Sequence, residues 1–241
     1  MNENISNSPF SSSTLKIFAC IFMAIDHIGF ALFPEIRLLR IIGRLAFPIF
    51  AFFIAEGCRY TKNKGKRWAT IFLLGFIFEA VYVFYTKEFY GNILLTFSLS
   101  ILLIYGLQKA KSASKEKKFA AVAGFFGLLF ITYFLCRAIP LDYGFEGVIT
   151  PLLVSLVDSQ KKNKTTDKTL FIKLLLLSTG LLLIVWRSHN DNSQIWSLLS
   201  LPLLSFYNGK PGNTKYKYGF YVFYPLHLLL IEIVSFFVRT S

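Results

Sequence analysis

The run Phe119-Ala-Ala-Val-Ala-Gly-Phe-Phe-Gly-Leu-Leu-Phe-Ile-Thr-Tyr-Phe-Leu-Cys136 contains no charged residue. At 1.5 Å per residue a helix of that length reaches about 27 Å, close to the thickness of the hydrocarbon core of a bilayer. Phe89 to Gln108 is a second uncharged run of similar length. Working outward, further apolar segments occupy about 15 to 33, 41 to 58, 68 to 86, 92 to 108, 119 to 137, 146 to 158, 170 to 187, 194 to 207 and 218 to 238. The expected fold is all-α, a polytopic transmembrane helix bundle of about nine spanning helices, with eight to ten allowed because segment 146 to 158 is short and Pro202 interrupts another. Composition agrees: 54 % of residues are hydrophobic, 16 % are charged, and mean hydropathy is +0.54. A soluble domain of this size is less apolar than that.

The net charge of +13 raises nucleic acid as a partner, but the basic residues form short clusters between apolar runs rather than a stripe on one surface. They read as cytoplasmic loops. Arg59, Lys62, Lys64, Lys66 and Arg67 follow the second segment, and Lys109, Lys111, Lys115, Lys117 and Lys118 follow the fourth. Lys161, Lys162, Lys164, Lys168 and Lys173 follow the sixth, and Lys210, Lys215 and Lys217 precede the last. The alternate loops carry chiefly Arg37, Arg40 and Lys87. Because Lys and Arg accumulate on the inner side, the amino terminus is expected in the cytoplasm and the carboxyl terminus outside, in a cell membrane. Residues 1–14 read as a polar cytoplasmic segment without a removable signal, and 15–241 as a single multi-pass domain. Cys20, Cys58 and Cys136 have neither metal-ligand nor redox spacing and read as packing residues. No fixed-period repeat is visible, which weakens an inverted-repeat transporter reading without removing it.

Chemistry inside a membrane is read from ionisable groups, since each costs roughly 2.5 to 3.5 kcal/mol within a spanning helix and needs a partner or a wet cavity. The first segment carries Asp26 and His27, with Lys16 eleven residues before His27 on the same helical face and about 16 Å away along the axis. A histidine suits general-base chemistry, and a neighbouring carboxylate can tune it. In the second segment, Pro48 cannot donate to the carbonyl of Arg44, so a kink and a polar notch are expected there. Arg44 and Glu56 lie about 18 Å apart along that helix and cannot pair. Glu79 is a candidate partner for Arg59 or Arg44, against a structural ion pair as the plainer reading. Asn92 and Thr96 lie one turn apart, available to a neighbouring helix or a ligand. The turn holding Asp142 and Tyr143 reads equally as a lid over an acceptor or as a plain connection. In the last segment Pro225 frees the carbonyl of Tyr221, Tyr224 and His227 share a face, and Lys217 stands at the rim. An aromatic belt accounts for Tyr216 and Tyr218 but not for His227. Phosphate loops, metal clusters and nucleophile elbows are missing from the sequence.

Four stretches together resemble a known family: Met23-Ala-Ile-Asp26-His27-Ile-Gly29, Gly43-Arg44-Leu-Ala-Phe-Pro48, Glu56-Gly57-Cys-Arg59-Tyr-Thr61, and Phe223-Tyr224-Pro225-Leu226-His227-Leu228. The chain is similar from about Leu15 onward to the TraX family of membrane acetyltransferases, named for a protein that acetylates the amino terminus of a conjugative pilin. The resemblance extends to the acyltransferase-three superfamily, in which a basic residue precedes a functional histidine by the interval that separates Lys16 from His27. It implies a bacterial enzyme that moves acetyl from cytoplasmic acetyl-CoA, with no metal, to an acceptor amine or hydroxyl on a pilin-like peptide or a surface glycan. His27 would then serve as catalytic base or acetyl relay, with Asp26 orienting it. Lys16 and the basic rim, Lys217 among it, would hold the donor's phosphates, while Arg44, Tyr221, Tyr224 and His227 would line the tunnel or steady the developing oxyanion. Glu56, Arg59, Glu79, Asn92, Thr96, Asp142 and Tyr143 complete the expected binding set. Two other readings stay open: a transporter or flippase of a polar or lipid-linked substrate, which would use the same buried charges for gating, and a non-catalytic membrane partner in a secretion or conjugation apparatus, which would depend on its surface and not on His27.

Overall fold

A computed structural model of the chain describes residues 8–157, 167–188, 192–213 and 217–240, without the side chains of Asn192, Lys217, Tyr218, Tyr221, Arg239 and Thr240. The described residues are helical, and no strand forms among them beyond an isolated bridge between Phe10 and Tyr207. The helices are α1 (Ser12–Ala31), α2 (Arg37–Gly43), α3 (Ala46–Tyr60), α4 (Lys64–Thr86), α5 (Ile93–Ser112) and α6 (Lys115–Ala138). There follow α7 (Gly144–Ser155), α8 (Asp167–Arg187), a 3₁₀ helix (Asn192–Leu199), α9 (Ser200–Ser205) and α10 (Lys217–Thr240). Six spans are long and apolar enough to cross a membrane: α1, α2 with α3, α4, α5, α6 and α8. α10 has 24 residues, about 36 Å of helix. α7 has 12, about 18 Å, less than a bilayer core. The protein is a multi-helix membrane protein.

Local chemistry explains where the helices start. The Ser11 hydroxyl accepts from Thr14 N (3.2 Å), the Asn63 side chain from Lys66 N (3.0 Å), and the Asn92 side chain from Leu94 N (3.1 Å), each satisfying a donor that a helix leaves open. Lys64, Lys66, Arg67, Lys109, Lys111, Lys115, Lys117 and Lys118, read in sequence as loop residues, lie within α4, α5 and α6. The backbone ladder runs past the apolar stretch, and long basic stems reach water from the helix ends. Lys173 is no loop residue either: it lies in α8 and is buried. The kink expected at Pro48 takes another form. The helix stops at Gly43 and restarts at Ala46, which puts Pro48 in a first turn where a missing N–H costs nothing.

The chain divides into two compact units, one made of the described parts of Met1–Phe50 and Val157–Ser241, the other of Ala51–Leu156. In the first, α1 packs on α2 and α10, and the 3₁₀ helix packs on α2 and α8. Residues ahead of α1 are stitched to those ahead of α10: Phe10 N donates to Phe206 O (3.2 Å), Asn208 N to Phe10 O (2.9 Å), Ser12 N to Lys210 O (2.9 Å) and Ser13 N to Pro211 O (3.1 Å). The Phe10 ring meets Phe18 and Phe206 edge-on. Lys16 lies over the Phe220 ring (5.8 Å), and His27, further along α1, meets His227, further along α10. α1 and α10 therefore run parallel.

The second unit is built around α5, which packs against α4, α6 and α7. Its buried face carries Thr96, Phe97, Ser100, Ile101, Leu103 and Ile104, while α4 and α6 turn large apolar side chains such as Phe76, Phe84, Phe126 and Phe130 outward. Outward apolar faces suit contact with lipid tails.

Candidate functional site

α1 and α10 bring two histidines into contact. His27 Nδ1 and His227 Nε2 are 2.8 Å apart, and the rings stack with centroids 5.0 Å apart. His227 is 6 % exposed. Its Nδ1 lies 2.8 Å from the Phe223 carbonyl, its ring stacks on Phe223 (4.7 Å, 5° between planes), and Tyr224 meets it edge-on at 5.9 Å. Residues 223 and 227 are one helical turn apart, so α10 itself supplies both the carbonyl and the stacking face.

Asp26, next to His27, projects about 100° away around α1. Its carboxylate meets Arg40 of α2, Nη1 to Oδ2 at 2.7 Å, and the same nitrogen donates to the Asp26 carbonyl (3.3 Å). Asp26, expected to orient His27, thus holds Arg40, and His227 is the group that meets His27. The Arg40 guanidinium also lies over the Phe30 ring at 5.3 Å. Gly43 is required beside this pair, because a Cβ there would collide with Cβ, Cγ and Oδ1 of Asp26. Arg44, one turn beyond Arg40, donates from Nε to Ser193 Oγ of the 3₁₀ helix at 3.2 Å. Arg40 is thus bound to the residue next to His27, and Arg44 follows one turn later. The first unit therefore gathers Asp26, His27, Arg40, Arg44, Tyr224 and His227, with Lys16 about three turns from His27 along α1.

A second polar cluster lies in the other unit. Glu79 accepts from Tyr90 N (2.7 Å), Gly91 N (2.9 Å), Asn92 N (3.0 Å) and Asn92 Nδ2 (2.8 Å), and Asn92 Nδ2 also donates to Gly75 O (2.9 Å). Glu79, offered in sequence as a partner for Arg59 or Arg44, instead clamps the α4–α5 turn and is 4 % exposed. The buried carboxylate satisfies backbone donors that the turn would otherwise strand. Gly91 has φ of 71°, and a side chain there would run into Pro140 O and Leu141. Asp142 N donates to Gly91 O (2.8 Å), and Thr96 Oγ1 donates to Asp142 O (2.9 Å). The turn read as a lid or a connection is thus fastened to its neighbour, with Tyr143 at φ 59° capping α7. Glu56 is buried in α3, and Arg59 lies over the Tyr60 ring at 5.0 Å. The side chains of Lys217 and Tyr221 fall outside the described residues. Among the described residues no group of three or more His, Cys, Asp or Glu is placed to hold a metal.

Comparison with known proteins decides the family. The model of the TraX protein family matches residues 11–235.

This chain belongs to the TraX family.

A TraX relative, the probable fimbrial assembly protein FimC, serogroup H1, of Dichelobacter nodosus, is 28 % identical over 252 residues, covering 97 % of this chain and 99 % of its own. An uncharacterized protein of Rickettsia prowazekii (strain Madrid E) is 33 % identical over 150 residues, covering 62 % of this chain and 56 % of its own. No solved structure matches. The stretch that matches the TraX model contains both histidines, Asp26, Arg40 and Arg44.

Sequence reasoning missed Arg40, Ser193 and Phe223. Arg40 was legible in principle: an aspartate in a spanning helix demands a cation, and Arg37 and Arg40 are the next basic residues along the chain. Phe223 acts through a backbone carbonyl and a stacking ring that reads in sequence as one apolar residue among many, and Ser193 through contact across many residues.

Proposed function

We propose that this TraX-family protein is a membrane acetyltransferase that moves acetyl from cytoplasmic acetyl-CoA to an acceptor amine or hydroxyl. What supports it is the His27–His227 contact (2.8 Å) in a unit that also holds Arg40 on Asp26 and Arg44 on Ser193, since acyl transfer needs a base and positive charge. His27 Nε2 takes the proton of the acceptor N–H or O–H while that atom attacks the thioester carbonyl carbon. Arg44 steadies the resulting oxyanion. As the carbonyl re-forms, the C–S bond breaks, and the CoA sulfur leaves with the proton that His27 returns. Asp26 holds Arg40 in place, and Lys16 with the basic residues at the helix ends receives the donor's phosphates. The relationship to a fimbrial assembly protein favours a pilin-type peptide amine as acceptor over a glycan. The basic residues at the helix ends favour an amino terminus in the cytoplasm. With α1 and α10 parallel, that orientation and a crossing by both give an odd number of crossings, the two included, and favour a carboxyl terminus outside.

Calorimetry on the detergent-purified protein tests the donor, and transfer of labelled acetyl to a panel of peptides and glycans tests the reaction. Saturable acetyl-CoA binding, weakened by Lys16→Ala, is expected. His27→Ala should keep that binding and lose transfer by roughly 100-fold or more. No binding at millimolar donor to folded protein would move the assignment to a transporter.

A further inference from the structure

The two histidines are not equivalent, and the Phe223 carbonyl makes the difference. A carbonyl oxygen only accepts, so His227 Nδ1, 2.8 Å away, must carry the hydrogen that joins them. In a neutral imidazole the other nitrogen then holds a lone pair. That nitrogen, Nε2, lies 2.8 Å from His27 Nδ1, so His27 Nδ1 must donate. In turn His27 Nε2 holds a lone pair and is the one ring nitrogen of the pair with no hydrogen-bond partner among the described residues. Reversing the chain would set two lone pairs against each other at the Phe223 end.

We propose that His227 is a positioning residue, which, anchored on the Phe223 carbonyl, locks His27 in its Nδ1–H tautomer and thereby presents Nε2 as the base of the proposed transfer. The inference rests on the acetyltransferase reading for its consequence, but the tautomers exist whether or not acetyl is the cargo. When His27 takes a proton, its Nδ1–H bond to His227 Nε2 becomes charge-assisted and stronger. His227 thus does for His27 what a carboxylate does for a catalytic histidine elsewhere, as a neutral acceptor whose direction is fixed by main chain rather than by charge. Stacking on Phe223 and the edge of Tyr224 hold the His227 ring against rotation.

The test is nitrogen-15 NMR of the full-length protein, labelled at histidine and reconstituted in lipid, with His189→Gln removing the third histidine's signals. The expected spectrum has Nδ1–H and pyridine-type Nε2 on both His27 and His227, with a coupling across the hydrogen bond from His27 Nδ1 to His227 Nε2. A protonated Nε2 on resting His27 overturns the proposal. Kinetics add a second arm. His227→Leu is expected to lower kcat roughly 100-fold with the KM for acetyl-CoA little changed, while His227→Gln, whose amide oxygen can take the His27 proton donor, recovers at least a tenth of it. Equal loss in both variants, tracking a lowered melting temperature, would make His227 structural only. If the starting protein transfers no acetyl, the spectrum alone decides the tautomers, and failure of the acetyltransferase reading stays separate.

Discussion

A half-buried aspartate is tolerated in α1 because Arg40 meets it at 2.7 Å with both side chains less than a third exposed. Removing one member strands the other, so Arg40→Gln is expected to cost about 2 kcal/mol of stability. Adding Asp26→Asn to it should cost less than the sum of the two single changes. Thermal unfolding in detergent measures both, and strict additivity would show that the pair is not coupled. At this scale the sequence was half legible. Asp26, His27, Arg44 and His227 stood out singly because charge in lipid is expensive. What they touch did not, since Arg40 read as a loop cation and His227 lies 200 residues from His27. Side-chain type carries a cost, whereas partnership depends on how α2 and α10 lie against α1.

Helices were read with more success than their ends. Eight of the apolar segments overlap helices closely, since a run that long has few other ways to satisfy its backbone in lipid. The segment at 194 to 207 instead forms a 3₁₀ helix and the short α9; Pro202, near the start of α9, loses nothing in a first turn. The break at 44–45 and the extensions through Lys64 and Lys111 went unread because capping and charge, not hydropathy, set those ends. Two substitutions test the element-scale packing. Gly43→Ala forces Asp26 away from its seat and is expected to destabilise by about 1 to 3 kcal/mol by overpacking; an unchanged melting temperature would mean that α1 and α2 are further apart than described. Glu79→Gln leaves at least one turn amide without its acceptor, at about 1 to 3 kcal/mol. Hydrogen exchange at Tyr90 to Asn92 should quicken, and equal protection in both proteins would remove Glu79 from the turn.

The molecule as a whole is marked by the parallel run of α1 and α10 and by the basic helix ends. A reporter that works only outside the cell should be active after Ser241 and silent before Met1, and a cysteine placed at Glu88 should label in intact cells while one at Ser114 waits for permeabilisation. Both reporters on one side would overturn the proposed orientation. The native Cys20, Cys58 and Cys136 are buried, which keeps the background of such labelling low. The contact between His27 and His227, 200 residues apart, also sets an order of assembly. A ribosome adding about 5 to 20 residues per second releases His27 into the membrane tens of seconds before its partner exists. Until α10 arrives, α1 carries a histidine with no second ring against it. The paired histidines are therefore a certificate of complete synthesis: in a nascent chain halted anywhere before position 227, His27 has no His227 to meet.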